Sequence, residues 1–415
     1  MTDAIWGWCC STVFADGRGG TIFGKATVNG IMKGRGMTPK ERFSAAMRGD
    51  PVDRPPIWLR EGFPIVQGPA GEDDFRNCWQ ADPLYRELYK YVRPHVVADH
   101  PWKIPCVNRF LMVPPRYIRA QEERISTRRR RTYIRVKTGK GELTQIVEHW
   151  RGVATGWVIK PLIESREELK ALADVPFDID RADIDCALNN YRRASREAGD
   201  AAVLRFGLPS PIVAISGCMT LEMFLELSLL ERRWFTELES EITRRIECVI
   251  EALFAKGDLD TTANFGGSEQ CTPPLMPPEA YDELVVPFDG PLIRNLRQRK
   301  VPVNVHCHGK VRHALRCMRD MGVDATDPVE PPPAGDVTYA EARQIVDGRV
   351  TLVGNFAFDE LESAEPHRIR ERVKQLLSHG TDRLILGASA GPLSSVSQRL
   401  VDNYKAWIDA ALELG

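Results

Sequence analysis

The second half of the chain alternates between short apolar segments and longer segments whose apolar residues recur at helical spacing. Short apolar runs bounded by glycine, proline or polar residues predict strands, and a recurrence of about 3.6 residues predicts helices. Strands are predicted at 201–206, 259–265, 301 onward, 323–327, 350–355 and 383–387. Helices are predicted at 221–230, 232–255, 280–299, 310–321, 338 onward, 366–377 and 399–414.

Alternation of strands and helices implies a parallel sheet that is covered by helices on both faces. We expect an α/β fold of the (β/α)8 barrel (TIM barrel) type, which fits better than an open doubly wound sheet. No glycine-rich phosphate-binding motif follows any predicted strand, so a nucleotide site has no support. Earlier in the chain, the pattern predicts a strand at 56–59 and a helix at 82–92.

Capping boxes mark three helix starts, because a Ser or Thr is followed three residues later by Glu. They begin at Thr38, Ser165 and Thr338. Residues 1–36 show neither sustained periodicity nor capping signals. We therefore expect a poorly ordered N-terminal extension at 1–36 and a barrel domain at 37–415.

The N-terminal third contains an inserted β-hairpin. The arginine run 128–131 leads into an alternating segment at 132–136, and a second such segment at 142–147 follows a turn that contains glycine. Four consecutive arginines could grip phosphates or carboxylates. A solvated hairpin edge is the more typical setting for one charge run in a chain that is not basic overall.

The composition is that of an ordinary soluble globular protein, with 56 basic residues, 57 acidic residues and a net charge of −1. Nucleic-acid binding is not expected from this balance. No segment has the roughly 18 consecutive apolar residues of a membrane span, and no signal-peptide pattern opens the chain. The 10 cysteines are scattered without a CxxC pair, which favours reduced thiols and a cytoplasmic location.

Two histidines end the strand that begins at residue 301, within the segment Val-Pro-Val-Asn-Val-His-Cys-His-Gly. Because side chains of a strand alternate between its faces, Asn304, His306 and His308 share one face. A single histidine on such a face would more often be a satisfied core residue. Two histidines in phase at the carboxyl end of a barrel strand predict a functional site.

Other polar residues follow neighbouring strands and should share the same mouth of the barrel. Glu269 follows one strand, Asp327 and Glu330 follow another, and Asn355 and Ser389 follow the last two. Two imidazoles with a carboxylate could bind a divalent metal ion and leave positions open. The same groups could instead transfer protons without a metal. Taken singly, each of these acidic residues could equally well cap a helix or be solvated in a loop as serve in a functional site.

Three segments carry a resemblance to the uroporphyrinogen decarboxylase superfamily, which also contains corrinoid-dependent and cobalamin-independent methyltransferases. They are MTPKERFSAAMRGDPVDRPPIW at 37–58, PPLMPPEAYDELVVPFDGPLI at 273–293 and the segment from HCHGKVRHALRCMRDMG to VTLVGN at 306–355. The resemblance covers about 37–415. It implies a (β/α)8 barrel, often dimeric.

Methyltransferases of the superfamily bind zinc through a His-x-Cys-Gly motif and a later cysteine. The resemblance places His306 on the motif's histidine and His308 where its cysteine stands, and no cysteine follows Cys317. It therefore implies a metal site, most simply for zinc, formed by His306, His308 and Glu269. The implied activity is methyl or alkyl transfer involving a small molecule or a corrinoid, with a corrinoid protein as a candidate partner.

Decarboxylases of the superfamily bind tetrapyrrole carboxylates through an Arg-x-x-x-Arg pair after the first strand. This sequence keeps Arg60 and lacks the second arginine. The alternative activity is thus metal-independent decarboxylation, with Arg60 holding a carboxylate and His308 supplying a proton. A third alternative is a barrel that binds a corrinoid or another ligand without turnover. Under the leading hypothesis, Arg60, Asp327 and Glu330 are catalytic, and Asn355 and Ser389 contact the substrate.

Overall fold

The computed structural model describes residues 36–60, 62–65 and 74–415. The predicted N-terminal extension lies outside this part of the chain, apart from Gly36. Twelve strands are described, numbered in chain order: β1 (Ile57–Trp58), β2 (Ala98–Pro101), β3 (Ile118–Arg124), β4 (Arg129–Thr138), β5 (Gly141–Trp150), β6 (Gly156–Lys160), β7 (Ala202–Pro209), β8 (Thr262–Gly266), β9 (Val303–His306), β10 (Ala325–Asp327), β11 (Thr351–Phe356) and β12 (Leu384–Ala388).

Eight of these strands form a parallel barrel. Their order is β1-β12-β11-β10-β9-β8-β7-β2. A parallel bridge between Trp58 and Val97 joins the two ends of this sheet. The predicted (β/α)8 barrel is therefore confirmed.

Helix α1 precedes β1, and the other described helices come after barrel strands and surround the barrel. They are α1 (Pro39–Arg48), α2 (Pro83–Val92), α3 (Arg166–Ala173), α4 (Arg181–Ala198), α5 (Pro211–Ser216), α6 (Leu221–Leu230), α7 (Arg232–Phe254), α8 (Glu279–Leu284), α9 (Val286–Gln298), α10 (Arg312–Met321), α11 (Tyr339–Val346), α12 (Phe358–Ser363), α13 (Pro366–Leu377) and α14 (Gln398–Leu414). Helices α10, α11, α13 and α14 match the predicted ones to within a few residues.

The capping boxes explain where two of these helices begin. Thr38 and Thr338 each accept a hydrogen bond from the N–H three residues later, and the glutamate there bonds back to the cap residue. The box predicted at Ser165 is only half correct. The Ser165 hydroxyl caps Glu168, but the Glu168 carboxylate accepts from the N–H of Glu164 instead of that of Ser165.

The predicted hairpin is confirmed as β4 and β5, and it belongs to an antiparallel sheet of four strands ordered β3-β4-β5-β6. The expected edge position of the arginine run is wrong, because β4 is an inner strand. Its arginines pair within the sheet instead: the Arg131 Nε lies 3.0 Å from Glu148. The Arg130 guanidinium stacks 4.2 Å from the centroid of the Phe75 ring.

Six elements of the described chain were not predicted from the hydrophobic pattern, namely β2, β3, β6, α4, α5 and α12, and one helix was predicted too long. Strand β2 is short, polar and ends in proline, so it offers no apolar alternation. Helix α4 buries mostly alanines, which give a weak apolar stripe. The single helix predicted at 280–299 is broken at Val285, where Pro287 near the start of α9 cannot donate a backbone hydrogen bond to the preceding turn.

The interior of the barrel has an apolar lower layer, here called the floor. Helix α1 covers it from below and contributes Phe43, Ala46 and Met47. The barrel strands contribute the remaining residues, which are Trp58, Val97, Val203, Ala325, Val353 and Ile385. A much larger apolar core lies between the barrel and its helices.

Two expectations from composition bear on the described residues. None of the described helices is long and apolar enough to cross a membrane. The eight cysteines in the described ranges are all free thiols, in keeping with the expected absence of disulfides there.

Candidate functional site

Several barrel strands end in polar residues at one opening, here called the mouth. Strand β9 ends at His306 and strand β10 at Asp327, and these two residues are paired in the parallel register. Arg60 comes two residues after the end of β1. Because all the strands are parallel, their carboxyl ends meet on the same side of the barrel.

The two histidines converge on one place. Their ring centroids are 4.6 Å apart, with the ring planes at 85°. Glu269 joins them from the one-turn 3-10 helix Glu269–Cys271 that follows β8. One donor atom from each of Glu269, His306 and His308 lies within 4.8 Å of the other two. The three residues predicted as metal ligands are therefore brought together, and their role remains a proposal.

His306 is held by a buried carboxylate. Its Nδ1 lies 2.8 Å from Asp327 Oδ2 and 3.1 Å from the Arg60 Nη1. Burial lowers the pKa of His306 to about 4, against the opposing charge of Asp327. A neutral ring that donates from Nδ1 to Asp327 carries its lone pair on Nε2, which is the form that binds a metal ion.

Asp327 is itself paired with Arg60 and accepts from Asn304 Nδ2. Burial alone would raise the pKa of Asp327, but the charge of Arg60 and the contact with His306 hold it well below its usual range. Asp327 is therefore ionised at neutral pH. A buried carboxylate of this kind can orient an imidazole and stabilise positive charge on it.

His308 has a similar partner in a more open setting. Its Nδ1 lies 3.2 Å from Glu330 Oε2, and its side chain is 35% exposed. Burial acts to lower the pKa of His308, but the hydrogen bond and charge of Glu330 outweigh it and raise that pKa. Glu330 also accepts from the N–H of Gly309 at 2.9 Å, which fixes the loop after β9.

Glu269 approaches the histidines through the backbone of the same loop. Its Oε1 accepts from the N–H of His308 at 3.2 Å. Burial raises the pKa of Glu269, against the influence of His308. A Cβ on Gly267 would lie only 2.1 Å from the Glu269 carboxylate. Glycine at 267 thus permits the observed position of this carboxylate.

Arg60 has a backbone conformation that few residues other than glycine adopt, with φ at 61°. Left-handed backbone of this kind costs free energy and persists where surrounding contacts enforce it. The guanidinium contacts both Asp327 and His306, and it also lies 5.5 Å from the ring centroid of Trp58. The strained backbone is therefore coupled to the group that orients His306.

Acidic groups outnumber the guanidinium among the side chains of the mouth. Glu269, Asp327 and Glu330 supply three carboxylates, while Arg60 supplies one guanidinium. If the carboxylates are ionised and both imidazoles neutral, the formal charge of this group is −2. A divalent cation would neutralise it, which agrees with the donor set of two imidazoles and a carboxylate.

The two residues predicted to contact substrate make contacts within the chain. The Ser389 hydroxyl accepts from the N–H of Phe358 at 3.0 Å, at the start of α12. Asn355 accepts from Arg372 of α13 through both its carbonyl and its Oδ1, at 3.3 and 2.5 Å. Both side chains are buried at the ends of their strands. A role in substrate binding stays a prediction for these residues.

A polar network below the mouth was missed by the sequence reasoning. Asn304 Nδ2 donates to Asn264 Oδ1 at 2.6 Å and also to Asp327. Arg205 bonds to Asn264 at 3.4 Å and pairs with Asp99 at 2.5 Å. Each of these residues lies on the inward face of a barrel strand. Polar residues at alternate positions of otherwise apolar strands were the available signal.

The chain is similar to several known proteins. The uroporphyrinogen decarboxylase (URO-D) family model matches residues 152–414. A solved methyltransferase from Methanosarcina mazei is similar at 16% identity with a TM-score of 0.59, over 91% of this chain and 99% of that one. A B12-independent methionine synthase from Shewanella sp. W3-18-1, in complex with selenomethionine, has 11% identity and a TM-score of 0.44, over 87% and 94% of the two chains. No curated protein matches the sequence.

Proposed function

The chain belongs to the uroporphyrinogen decarboxylase family, and on that premise we propose that it is a metal-assisted methyl or alkyl transferase. His306, His308 and Glu269 would hold a divalent ion, with zinc the best match to the ligand set. The substrate would be a small molecule or a corrinoid, and a corrinoid protein is a candidate partner. The observation that carries the proposal is the convergence of these three donors within 4.8 Å.

The surroundings of each donor support the assignment. Metal-binding histidines usually donate their other ring nitrogen to a carboxylate, which fixes the tautomer and the ring orientation. His306 has such a partner in Asp327, and His308 has one in Glu330. The backbone N–H of His308 orients Glu269 in the same way. All three proposed ligands therefore have a partner that limits their motion.

A bound divalent ion would act as a Lewis acid that polarises the atom giving up or accepting the alkyl group. The residues of the chain would do the remaining work. Asp327 keeps His306 in one tautomer, and Arg60 compensates the charge of Asp327. Glu330 would orient His308 through the proton on Nδ1, and it is the candidate group to accept a proton from an acceptor substrate.

Metal-free decarboxylation is less well supported. That mechanism needs Arg60 to hold a substrate carboxylate, but its guanidinium is already paired with Asp327. A second cationic side chain beside Arg60 was not found in the sequence motif. Release of carbon dioxide from a porphyrinogen by protein stripped of metal would favour this alternative.

Metal analysis tests the proposal directly. Protein purified without chelator should contain an ion that the His306→Ala, His308→Ala double variant lacks, so that the variant holds one equivalent less. The exposed His367→Ala is the matched control and should keep the wild-type content. In parallel, demethylation of methylcobalamin in the presence of thiol and amine acceptors should require the metal-loaded protein.

Equal metal content in wild type and the double variant would remove the proposed ligand set. If the double variant loses the metal but the metal-loaded wild type turns over no alkyl donor, the proposed metal ligands are supported. A barrel that binds a ligand without reaction is then favoured. If, in addition, the double variant still binds the ligand as wild type does, the ligand lies away from the histidines.

A further inference from the structure

A second group of metal-binding residues lies outside the barrel, between α8 and α10. His313 and Cys317 are four residues apart on α10 and therefore share one face of that helix. Asp282 of α8 faces them. One donor atom from each of the three residues lies within 4.8 Å of the others. We propose that Asp282, His313 and Cys317 form a second metal site, for Zn²⁺ or a similar thiol-binding divalent ion.

The three donors of this cluster lie close enough together to bind one ion. The His313 Nε2 lies 2.7 Å from Asp282 Oδ2, and the Cys317 Sγ lies 3.3 Å from Asp282 Oδ1. Zinc bonds of about 2.0 Å to nitrogen or oxygen and about 2.3 Å to sulfur place tetrahedral ligands roughly 3.3 to 3.5 Å apart. Binding would therefore require the His313 and Asp282 donor atoms, now 2.7 Å apart, to separate by about 0.6 Å, whereas the Cys317 sulfur already lies 3.3 Å from Asp282.

The ligand types select the ion. A thiolate together with an imidazole suits zinc, cobalt and related ions, whereas magnesium and calcium prefer sites made of oxygen atoms. This distinguishes the second site from the mouth, where the proposed donors are two imidazoles and a carboxylate. The presence or absence of sulfur therefore separates the two sites chemically.

The cluster also has an entry path. The Asp282 and His313 side chains are 51% and 30% exposed, whereas Cys317 is only 7% exposed. An ion could enter from solvent and bind on the outer side of the thiol. A water molecule or a fourth protein ligand could complete the coordination from the open side.

The position of the cluster suggests what the ion would do. Helix α8 follows the 3-10 turn that carries Glu269, and α10 follows the loop that carries His308. An ion bound between them would cross-link the two segments that lead away from the mouth. Binding to the folded chain alone would also raise its stability according to the free ion concentration.

Cobalt substitution gives a specific test in the full chain. Co²⁺ bound to a cysteine thiolate shows a near-ultraviolet charge-transfer band that imidazole and carboxylate ligands do not produce. Titration of wild type and of the His306→Ala, His308→Ala variant should give this band in both proteins. Cys317→Ser should abolish it, whereas the controls Cys307→Ser and Cys186→Ser should retain it.

Two further variants keep the test decisive if Cys317→Ser folds poorly. His313→Ala and Asp282→Asn change partly exposed side chains, and each should weaken Co²⁺ binding at the second site by about tenfold or more. Absence of the band at saturating Co²⁺, or a band that survives Cys317→Ser, would overturn the proposal. Both results can be obtained in the His306→Ala, His308→Ala variant, which lacks two proposed ligands of the mouth. Failure of the second site is therefore distinguishable from failure of the first.

Discussion

The floor and the mouth of the barrel are built by the same strands but hold opposite kinds of side chain. In β10, Ala325 belongs to the floor and Asp327, two residues later, to the mouth. Trp58 and Arg60 show the same step in the chain at β1. Inward side chains recur every second residue of a strand, so the apolar layer and the charged layer are only two residues apart along the chain.

The two layers contribute differently to stability. Apolar burial in the floor favours folding in proportion to the area removed from water. Burial of Asp327 and Arg60 carries a desolvation penalty that their mutual attraction must offset. The comparison indicates that the floor stabilises the barrel, whereas under the proposed function the charged groups of the mouth orient the ligands of a metal ion. Three experiments test this contrast.

The largest effect is expected from removal of the buried carboxylate in the mouth. Asp327→Ala leaves the guanidinium of Arg60 without this partner, and loss of one partner of a buried ion pair costs about 3 to 5 kcal/mol. Urea unfolding at neutral pH measures the free energy of unfolding. Asp258→Ala, at an exposed carboxylate, is the control and should change it by less than about 0.5 kcal/mol. A loss below about 1 kcal/mol for Asp327→Ala would show that Arg60 is well solvated.

A substitution in the floor should cost nearly as much stability but leave the site intact. Ile385→Ala removes a fully buried side chain and should destabilise the protein by about 2 to 5 kcal/mol. Metal binding by the remaining folded protein should be unchanged, because Ile385 lies in the floor on β12, whereas the proposed ligands lie at the mouth beside β8 and β9. Leu230→Ala, at a side chain 76% exposed, is the matched control. Weakened metal binding in Ile385→Ala would contradict the separation of the two layers.

The smallest effect concerns the His308 and Glu330 pair in metal-free protein. The pKa of Glu330 is lowered, because His308 outweighs burial, so its contribution is present above the ordinary value of 4.5 and is lost as the pH falls. The pKa of His308 is raised, so its contribution is complete below the ordinary value of 6.5 and is lost as the pH rises through the raised value. The pair should therefore stabilise the fold most between these two pH values.

Comparison of wild type with Glu330→Gln by urea unfolding, in the presence of chelator, measures this contribution across the pH range. The difference should stay below about 1 kcal/mol, because His308 is partly exposed and solvent screens the pair. A difference that does not vary between acidic and alkaline pH would show that the two groups are not coupled.

The sequence predicted the barrel and the convergence of its histidines for a definite physical reason. The alternation of β9 placed His306 on the inward face, and the alternation of strands and helices predicted a barrel whose strand ends share one mouth. The pairing of Asp327 with His306 then follows from the parallel register. Glu269 could be placed near them because its loop follows the neighbouring strand.

Other features depend on the three-dimensional fold more than on local pattern. The four arginines of 128–131 did not show that their strand would acquire neighbours on both sides. Asp282 approaches His313 only after two separate helices have packed together. The contact between Arg60 and Asp327 joins residues 267 positions apart. Chemical partners at such separations leave no periodic trace in a single sequence.

The join between β1 and β2 gives the barrel a seam. Among the residues that the structure describes, one bridge between Trp58 and Val97 closes the ring there, whereas β11 and β12 share five paired positions. Fewer backbone hydrogen bonds must therefore break to separate β1 from β2 than to separate β11 from β12. Arg60 lies two residues beyond the bridge. A transient opening between β1 and β2 would therefore displace the guanidinium that contacts His306 and Asp327.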